Sequence, residues 1–272
     1  MGQIPRRLRH IHRKLERARE QIDAADAEAR SFFQSQFYTT RIEHERKSPW
    51  WLLVVEKVKP IPPEIGIYAG EAAHHLRSSL DHLMWFLANP PTPRAAKNVE
   101  FPIAHSRREF VGRRGETGIE SHGGMRHKVP GVARGVRATV ERLQPYRSGQ
   151  CQHADTLGQL REISNWDKHR ALAIVAASVE VTRLDVRIDG HAEVLSKEAF
   201  TGILKPDAEL ARVKVRHVAP KCIMHMKVHL DVQPFLDETM PPPAAGVNLM
   251  QSLYTAGWFI EHSVIKSLKR FL

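Results

Sequence analysis

The spacing of the hydrophobic residues along this chain switches between the period of an α-helix and the period of a β-strand. Helical spacing occupies four segments, 6–35, 62–89, 153–176 and 247–271. Strand-like alternation or β-branched runs occupy two others, 37–59 and 177–234. Each pattern must bury one face, and the two patterns stand in separate blocks. We therefore expect an α+β fold, with a four-helix bundle-like core and a mostly antiparallel sheet of about six strands.

The domain organisation follows from length and from the connecting segments. The 272 residues suit one large domain or two small ones, and no linker is long enough to demand two. We expect a single α+β domain over 1–272, with an Arg/Gly-rich insertion of short helical pieces at 106–147. Asp189-Gly190 is typical of a tight turn, and it predicts that the strand ending at 188 returns as a second strand at 191–195.

Cysteine content and hydropathy indicate the compartment. The two cysteines, Cys151 and Cys222, form neither a disulfide framework nor a CxxC metal pair. The first residues contain no apolar signal segment, and no apolar run approaches the roughly 18 residues of a membrane span. These features predict a cytoplasmic protein that does not enter a membrane.

The formal net charge of +11 favours a polyanionic partner, and the basic residues are clustered. Residues 6–19 carry seven arginines and lysines against Glu16 alone, which fits either a phosphate-facing helix end or a solvated helix face. The insertion supplies a second cluster of candidate nucleic-acid-binding residues: Arg107, Arg108, Arg113, Arg114, Arg134 and Arg137. No nucleotide-binding glycine motif accompanies them.

The helix predicted at 62–89 has an unusual polar side. Its core stripe is ordinary, but the opposite side contains no lysine. Four polar residues line up on that side and four residues flank them: Glu71, His75, Ser78 and His82, and then His74, Arg77, Asp81 and Trp85. Such a composition suits a polar cleft or a wet interface, and a His-rich solvent-exposed face is the plain alternative.

Two carboxylates lie on the apolar stripes of the other predicted helices. Asp167 falls within the stripe of helix 153–176, and Glu261 lies near the centre of the stripe of helix 247–271. A carboxylate directed into a core needs a cation or several hydrogen-bond donors. We expect Asp167 to meet Arg77 or a histidine of helix 62–89; local pairing with Arg170 is the alternative.

The segment Arg77-Ser-Ser-Leu-Asp-His82 has the form Arg-x4-His, and on a bundle helix it resembles the HEPN superfamily of nucleotide-binding and ribonuclease domains. The stretches His74-His-Leu-Arg-Ser-Ser-Leu-Asp-His-Leu83 and Asn165-Trp-Asp-Lys-His-Arg170 are together similar to bacterial proteins without an established activity. The match departs from the family at Ser78, where Asn is often found, and in the large sheet beside the bundle.

The resemblance implies a metal-independent endoribonuclease with no cofactor. His82 would act as general base or acid on a ribose 2′-hydroxyl, and Arg77 would steady the scissile phosphate. His169 is a third catalytic candidate. The supporting residues would be Glu71, His75, Ser78, Asp81 and Asp167. The family commonly builds its site across a dimer, which implies a homodimer through helix 62–89.

Three functions follow as hypotheses. The leading one is a cytoplasmic nucleic-acid-associated protein with a HEPN-like site, an endoribonuclease of defence or toxin–antitoxin type acting on RNA rather than DNA. The second is a non-catalytic RNA- or DNA-binding protein that uses the arginines of 107–147. The third is a metal-dependent hydrolase in which Glu71 with His75, or His82 alone, joins Asp167, His169 or Glu261.

Overall fold

The computed structural model describes residues 6–90, 92–112, 124, 128–150, 155–216 and 222–272. Contacts within the chain divide it into two compact units. The helical unit comprises the described residues of Met1–Asp26, Glu64–Ala173 and Leu236–Leu272. The sheet unit comprises Ala27–Pro63 and Ile174–Phe235. Neither unit is a continuous stretch of chain, and the expectation of a single domain stays a prediction.

The described residues form eight α-helices. They are α1 (Arg6–Gln34), α2 (Pro63–Leu87), α3 (Pro93–Ala96), α4 (Arg107–Val111), α5 (Arg134–Arg142), α6 (Asp155–Asp167), α7 (Leu249–Phe259) and α8 (Lys266–Leu268). A π-helical turn, Ile260–Ile265, joins α7 to α8, and 3-10 turns occupy Pro145–Gln150 and Lys269–Phe271. None of these described helices is both long and apolar enough to cross a membrane.

The bounds of α2 agree with its prolines. Pro63 stands at the first helical position, where the missing N–H would have had no partner, and the helix ends before Pro90. Of the six residues on the predicted core stripe, Ala69, Ala73, Leu76, Leu80 and Leu83 are buried and Leu87 is half-buried. The opposite side therefore keeps its polar residues accessible for other contacts.

The prediction of a helix over 153–176 is wrong at its C-terminal end, because α6 ends at Asp167. The indole Nε1 of Trp166 donates a hydrogen bond of 3.0 Å to the carbonyl oxygen of Ala171, which folds the chain back on the helix end. Ala171 and Ile174, which fall within the predicted helix, follow the end of α6 in the structure, and Ile174 begins the next strand. Residues 153 and 154 lie outside the described residues.

Seven described strands make up two sheets, where one sheet of about six strands was expected. The strands are β1 (Tyr38–His44), β2 (Trp50–Val58), β3 (Ile174–Asp189), β4 (Glu193–Ala199), β5 (Gly202–Ile203), β6 (Glu209–Arg216) and β7 (Ile223–Leu236). The first sheet has the order β1-β2-β6-β4 and the second the order β5-β3-β7. The fold class is α+β, as expected; the bundle-like arrangement of the helices stays a prediction.

The turn at Gly190 does not make the expected hairpin. The chain does turn there, with a φ of +131° that favours glycine, and a Cβ on Gly190 would lie 2.5 Å from the Sγ atom of Cys222. However, β3 and β4 enter different sheets, and β4 pairs antiparallel with β6. The dipeptide predicted the turn correctly, but not the partner of the strand that follows it.

Candidate functional site

The polar side of α2 is shared among three neighbours, all within the helical unit. Arg77 and Asp81 face the segment around Phe101, whereas Glu71 and His74 interact electrostatically with Asp167 of α6. The third side carries two further histidines and faces α1. The eight polar and flanking residues picked out from the sequence therefore do not form one site.

Arg77 and Asp81 hold the backbone of Phe101. The Nη2 atom of Arg77 donates to the Phe101 carbonyl oxygen at 2.7 Å, and the Phe101 N–H donates to Asp81 Oδ1 at 2.8 Å. Arg77 Nη2 also lies 3.6 Å from Asp81 and 3.9 Å from Glu100. Burial raises the pKa of Asp81, and the Arg77 charge counteracts part of that rise. The Arg77 side chain is only 14% exposed, so it supports the fold around Phe101.

Asp167 lies against Gly70 at the second side of α2. A Cβ on Gly70 would lie 2.1 Å from Asp167 Oδ1, so this close approach requires glycine. Burial raises the pKa of Asp167; the nearby His74 lowers it, and Glu71 raises it further. Among the described residues the Asp167 side chain makes no hydrogen bond or ion pair, and His74 acts on it only through its charge. The Arg77 guanidinium contacts Phe101, Asp81 and Glu100 instead. The expected pairing of Asp167 therefore stays a prediction.

His75 and His82 lie on the third side of α2, near the basic residues of α1. Burial lowers the pKa of both imidazoles, and Lys14 is the next cause in each case. His10 also lowers the pKa of His82, and Arg17 that of His75. Lys14 is thus close enough to affect both histidines, which sit two helical turns apart.

We call His10, Lys14, His75, Ser78 and His82 the His–Lys cluster. Ser78 lies between the two α2 histidines on the same helix side, three residues after one and four before the other. The Nδ1 atom of His75 is buried without a hydrogen-bond partner in the described structure. A lowered pKa keeps an imidazole neutral near pH 7, so the cluster combines proton acceptors with an ammonium group that can bind an anion.

Two other predicted residues lie away from this cluster. His169 follows the end of α6 and is exposed, and its side chain makes no hydrogen bond or ion pair with the described residues. Glu261, in the π-helical turn, pairs with Arg19 of α1. Glu261 thus has a cation as its partner, but that partner is a largely exposed arginine rather than a buried group.

The arginine cluster of the insertion is solvent-facing where the structure describes it. Arg107 and Arg108 lie on α4, Arg134 and Arg137 lie on α5, and all four are exposed. None of the four is paired with a carboxylate among the described residues. Arg113 and Arg114 lie outside the described residues. The four described arginines remain available to phosphate groups.

The part of the chain that the structure describes contains no set of side chains that could bind a metal ion. No three His, Cys, Asp or Glu side chains come together there in a way that could hold an ion. Glu71 and His75 interact with each other, but their further neighbours differ: Asp167 for Glu71, and Lys14 and Arg17 for His75. The metal-dependent alternative has no support from these residues.

Comparison with known proteins does not assign this chain to a family. No protein-family model matches the chain, and neither a curated protein nor a solved structure matches it. The resemblance to the HEPN superfamily therefore rests on the sequence motif and stays a prediction.

The sequence reading missed the α1 half of the His–Lys cluster. His10, Lys14 and Arg17 are spaced four and three residues apart, so they share one side of a helix. The sequence shows this spacing within the basic first half of α1. It does not show that this side faces α2, because periodicity does not specify how two helices pack.

Proposed function

We propose that this chain binds RNA and cleaves its backbone without a metal ion, using His82 as the proton-transferring group. The observation that supports the proposal best is the position of Lys14, whose charge lowers the pKa of both His75 and His82. An ammonium group beside two neutral imidazoles is suited to a phosphodiester, which needs both charge stabilisation and proton transfer.

The proposed reaction uses neutral His82 as the base. It accepts the proton of a ribose 2′-hydroxyl, and the 2′-oxygen attacks the adjacent phosphorus. The bond from phosphorus to the 5′-oxygen breaks, the leaving oxygen takes a proton from water, and the hydroxide so formed recovers the proton held by His82. The product is a 2′,3′-cyclic phosphate and a free 5′-hydroxyl. Lys14 stabilises the negative charge that grows on the phosphate oxygens.

Arg77 takes a different role in this proposal from the one that the sequence resemblance implies. Its guanidinium is bonded to the Phe101 carbonyl, and it lies about 140° around the helix from His82 at roughly 100° per residue. Lys14 replaces it as the phosphate-binding group. The resemblance still supports a cytoplasmic enzyme of defence or toxin type, with a homodimer contact through α2, as parts of the same proposal.

The test is cleavage of a mixed RNA substrate by the purified full chain, with and without EDTA. We expect cleavage in both conditions and 2′,3′-cyclic phosphate ends on the products. His82→Ala should abolish cleavage, while His191→Ala, an exposed histidine of the β3–β4 turn, should leave it unchanged. Cleavage that survives His82→Ala, or that EDTA stops, would overturn the proposed mechanism.

A binding protein without catalysis is the second candidate, and the exposed arginines of α4 and α5 favour it. In that case RNA binding would be intact without cleavage, and the affinity would fall steeply with salt. Replacing Arg134 and Arg137 by alanine should then weaken binding and flatten the salt dependence. Arg183 and Arg187 supply the control, because Asp185 and Asp189 already pair with them.

A further inference from the structure

A cavity of about 480 Å³ opens between α1, α2 and α7 in the helical unit. Its apolar walls come from Leu15 and Ile22 of α1 and from Leu76 of α2. The rest of the lining comes from Arg19 of α1 and from Tyr254, Thr255, Gly257 and Trp258 of α7. The volume is that of a small-molecule site, and the walls are mostly apolar, as such sites usually are.

Two aromatic side chains stand at the opening of this cavity. Trp258 is 49% exposed and Tyr254 is 42% exposed, although both belong to a helix that is otherwise largely buried. The Trp258 ring stacks on His262, with 5.0 Å between the ring centroids and 14° between the planes. The indole is thereby held in one orientation, with a flat surface beside the cavity.

Arg19, Glu261 and Asp23, the charged groups near the opening, already have partners. Arg19, which lines the cavity, forms an ion pair with Glu261. The hydroxyl of Tyr254 donates a hydrogen bond of 2.6 Å to Asp23 Oδ1. A charged ligand would have to displace these partners, whereas an uncharged ligand would leave them in place.

The π-helical turn Ile260–Ile265 starts two residues after Trp258. A π turn inserts an extra residue into a helix and is frequently found at functional sites. Here it carries both Glu261, which pairs with Arg19, and His262, which supports the indole. The irregular turn thus supplies two contacts that shape the opening of the cavity.

We propose that this cavity binds one small, uncharged aromatic molecule, whose rings lie against Trp258 and between Leu15, Ile22 and Leu76. The site is distinct from the His–Lys cluster, and its existence does not depend on the proposed cleavage of RNA. It adjoins the cluster in sequence at Lys14-Leu15 and at His75-Leu76, so the two helices that carry the cluster also form walls of the cavity.

The probe for this site is N-phenyl-1-naphthylamine, an uncharged aromatic dye that becomes fluorescent in apolar surroundings. We expect saturable binding to the full chain with one dye per chain, together with quenching of tryptophan emission by the bound dye. Gly257→Leu should weaken binding at least tenfold, because the leucine side chain would occupy the cavity. Its Cβ atom would lie 3.5 Å from Leu76 Cδ2, an ordinary contact that the fold can accept. Gln251→Leu, which adds the same side chain at an exposed position of α7, is the control and should bind as the original chain does.

A second variant keeps the proposal testable if Gly257→Leu fails to fold, as judged by circular dichroism. Trp258→Ala removes an exposed ring without filling the cavity, and it should also weaken the dye at least several-fold and abolish most of the quenching. The proposal is overturned if the dye does not saturate, or if a folded Gly257→Leu or Trp258→Ala variant binds it as tightly as Gln251→Leu does.

Discussion

Arg77 and Phe101 are joined by a hydrogen bond of 2.7 Å from the guanidinium Nη2 to the backbone carbonyl oxygen. The Phe101 N–H is bonded in turn to Asp81, one helical turn after Arg77 on α2. Both backbone polar groups of a fully buried residue are thus held by side chains of one helix. The arginine of the Arg-x4-His motif consequently has a structural partner inside the fold.

Arg77→Ala should lower the free energy of unfolding by about 1–3 kcal/mol, because it leaves the buried Phe101 carbonyl without its charged donor. Urea unfolding at pH 7 measures this change. Arg137→Ala, at an exposed arginine without an ion pair among the described residues, should change stability by less than about 0.5 kcal/mol. Equal stability of the two variants would show that the Arg77 bond does not support the fold.

Much of the fold could be predicted from periodicity, because the helices and strands each bury a continuous stripe. Ala69, Leu76 and Leu80 of α2 are buried where helical spacing placed them. The predictions were wrong at two places where contacts between distant residues, rather than the local sequence pattern, determine the structure. The apolar residues after Asp167 fit a helix as well as a strand entry, and the partner of β4 is β6, which lies far along the chain.

The candidate site could be predicted only in part. The sequence identified the polar side of α2, including His75 and His82, because lysine is missing there. It did not show that Arg77 would contact Phe101, since the two residues are 24 positions apart and meet only after packing. The contribution of Lys14 was hidden for the same reason: a basic helix side is usually solvated, and only the docking of α1 near α2 distinguishes it.

Gly70 and Asp167 should show a coupling in a double-mutant cycle. Gly70→Ala alone must displace the Asp167 carboxylate, which offsets the roughly 1 kcal/mol that alanine gains over glycine in a helix. In the background of Asp167→Ala the displaced group is gone, and Gly70→Ala should then stabilise the protein. We expect a coupling free energy of about 0.5–3 kcal/mol from urea unfolding of the four proteins. Additive effects would mean that the two residues do not touch.

The two α2 histidines should make the protein less stable in mild acid. Above the ordinary histidine pKa of 6.5 both are neutral in the folded and the unfolded chain, so they contribute no pH dependence. Below 6.5 the unfolded chain takes up protons first, because burial lowers the pKa of both groups in the fold, and the free energy of unfolding falls. The two histidines cause no further loss once the pH is below their lowered pKa values, because both are then protonated in the folded and the unfolded chain.

Substitutions can show that the two α2 histidines cause this loss of stability in mild acid. The double variant His75→Gln, His82→Gln should lose less stability between pH 7 and pH 5 than the original chain, whereas His191→Gln should lose as much. Asp81 and Asp167 have raised pKa values and act in the opposite direction, but they are present in all three proteins and cancel in the comparison. Parallel stability curves for the double variant and the original chain would contradict the lowered histidine pKa values.

Lys14→Ala should raise the pKa of both His75 and His82, because one ammonium charge opposes protonation of both imidazoles. The values should stay below 6.5, since burial is the larger cause and remains in the variant. Proton NMR titration of the histidine ring signals, assigned with His75→Gln and His82→Gln, measures the shift directly and requires no RNA. Lys266→Ala removes an exposed lysine of α8 and should move neither signal. If Lys14→Ala shifts the pKa of only one histidine or of neither, then Lys14 is not close to both, and the phosphate-binding role proposed for it loses its basis.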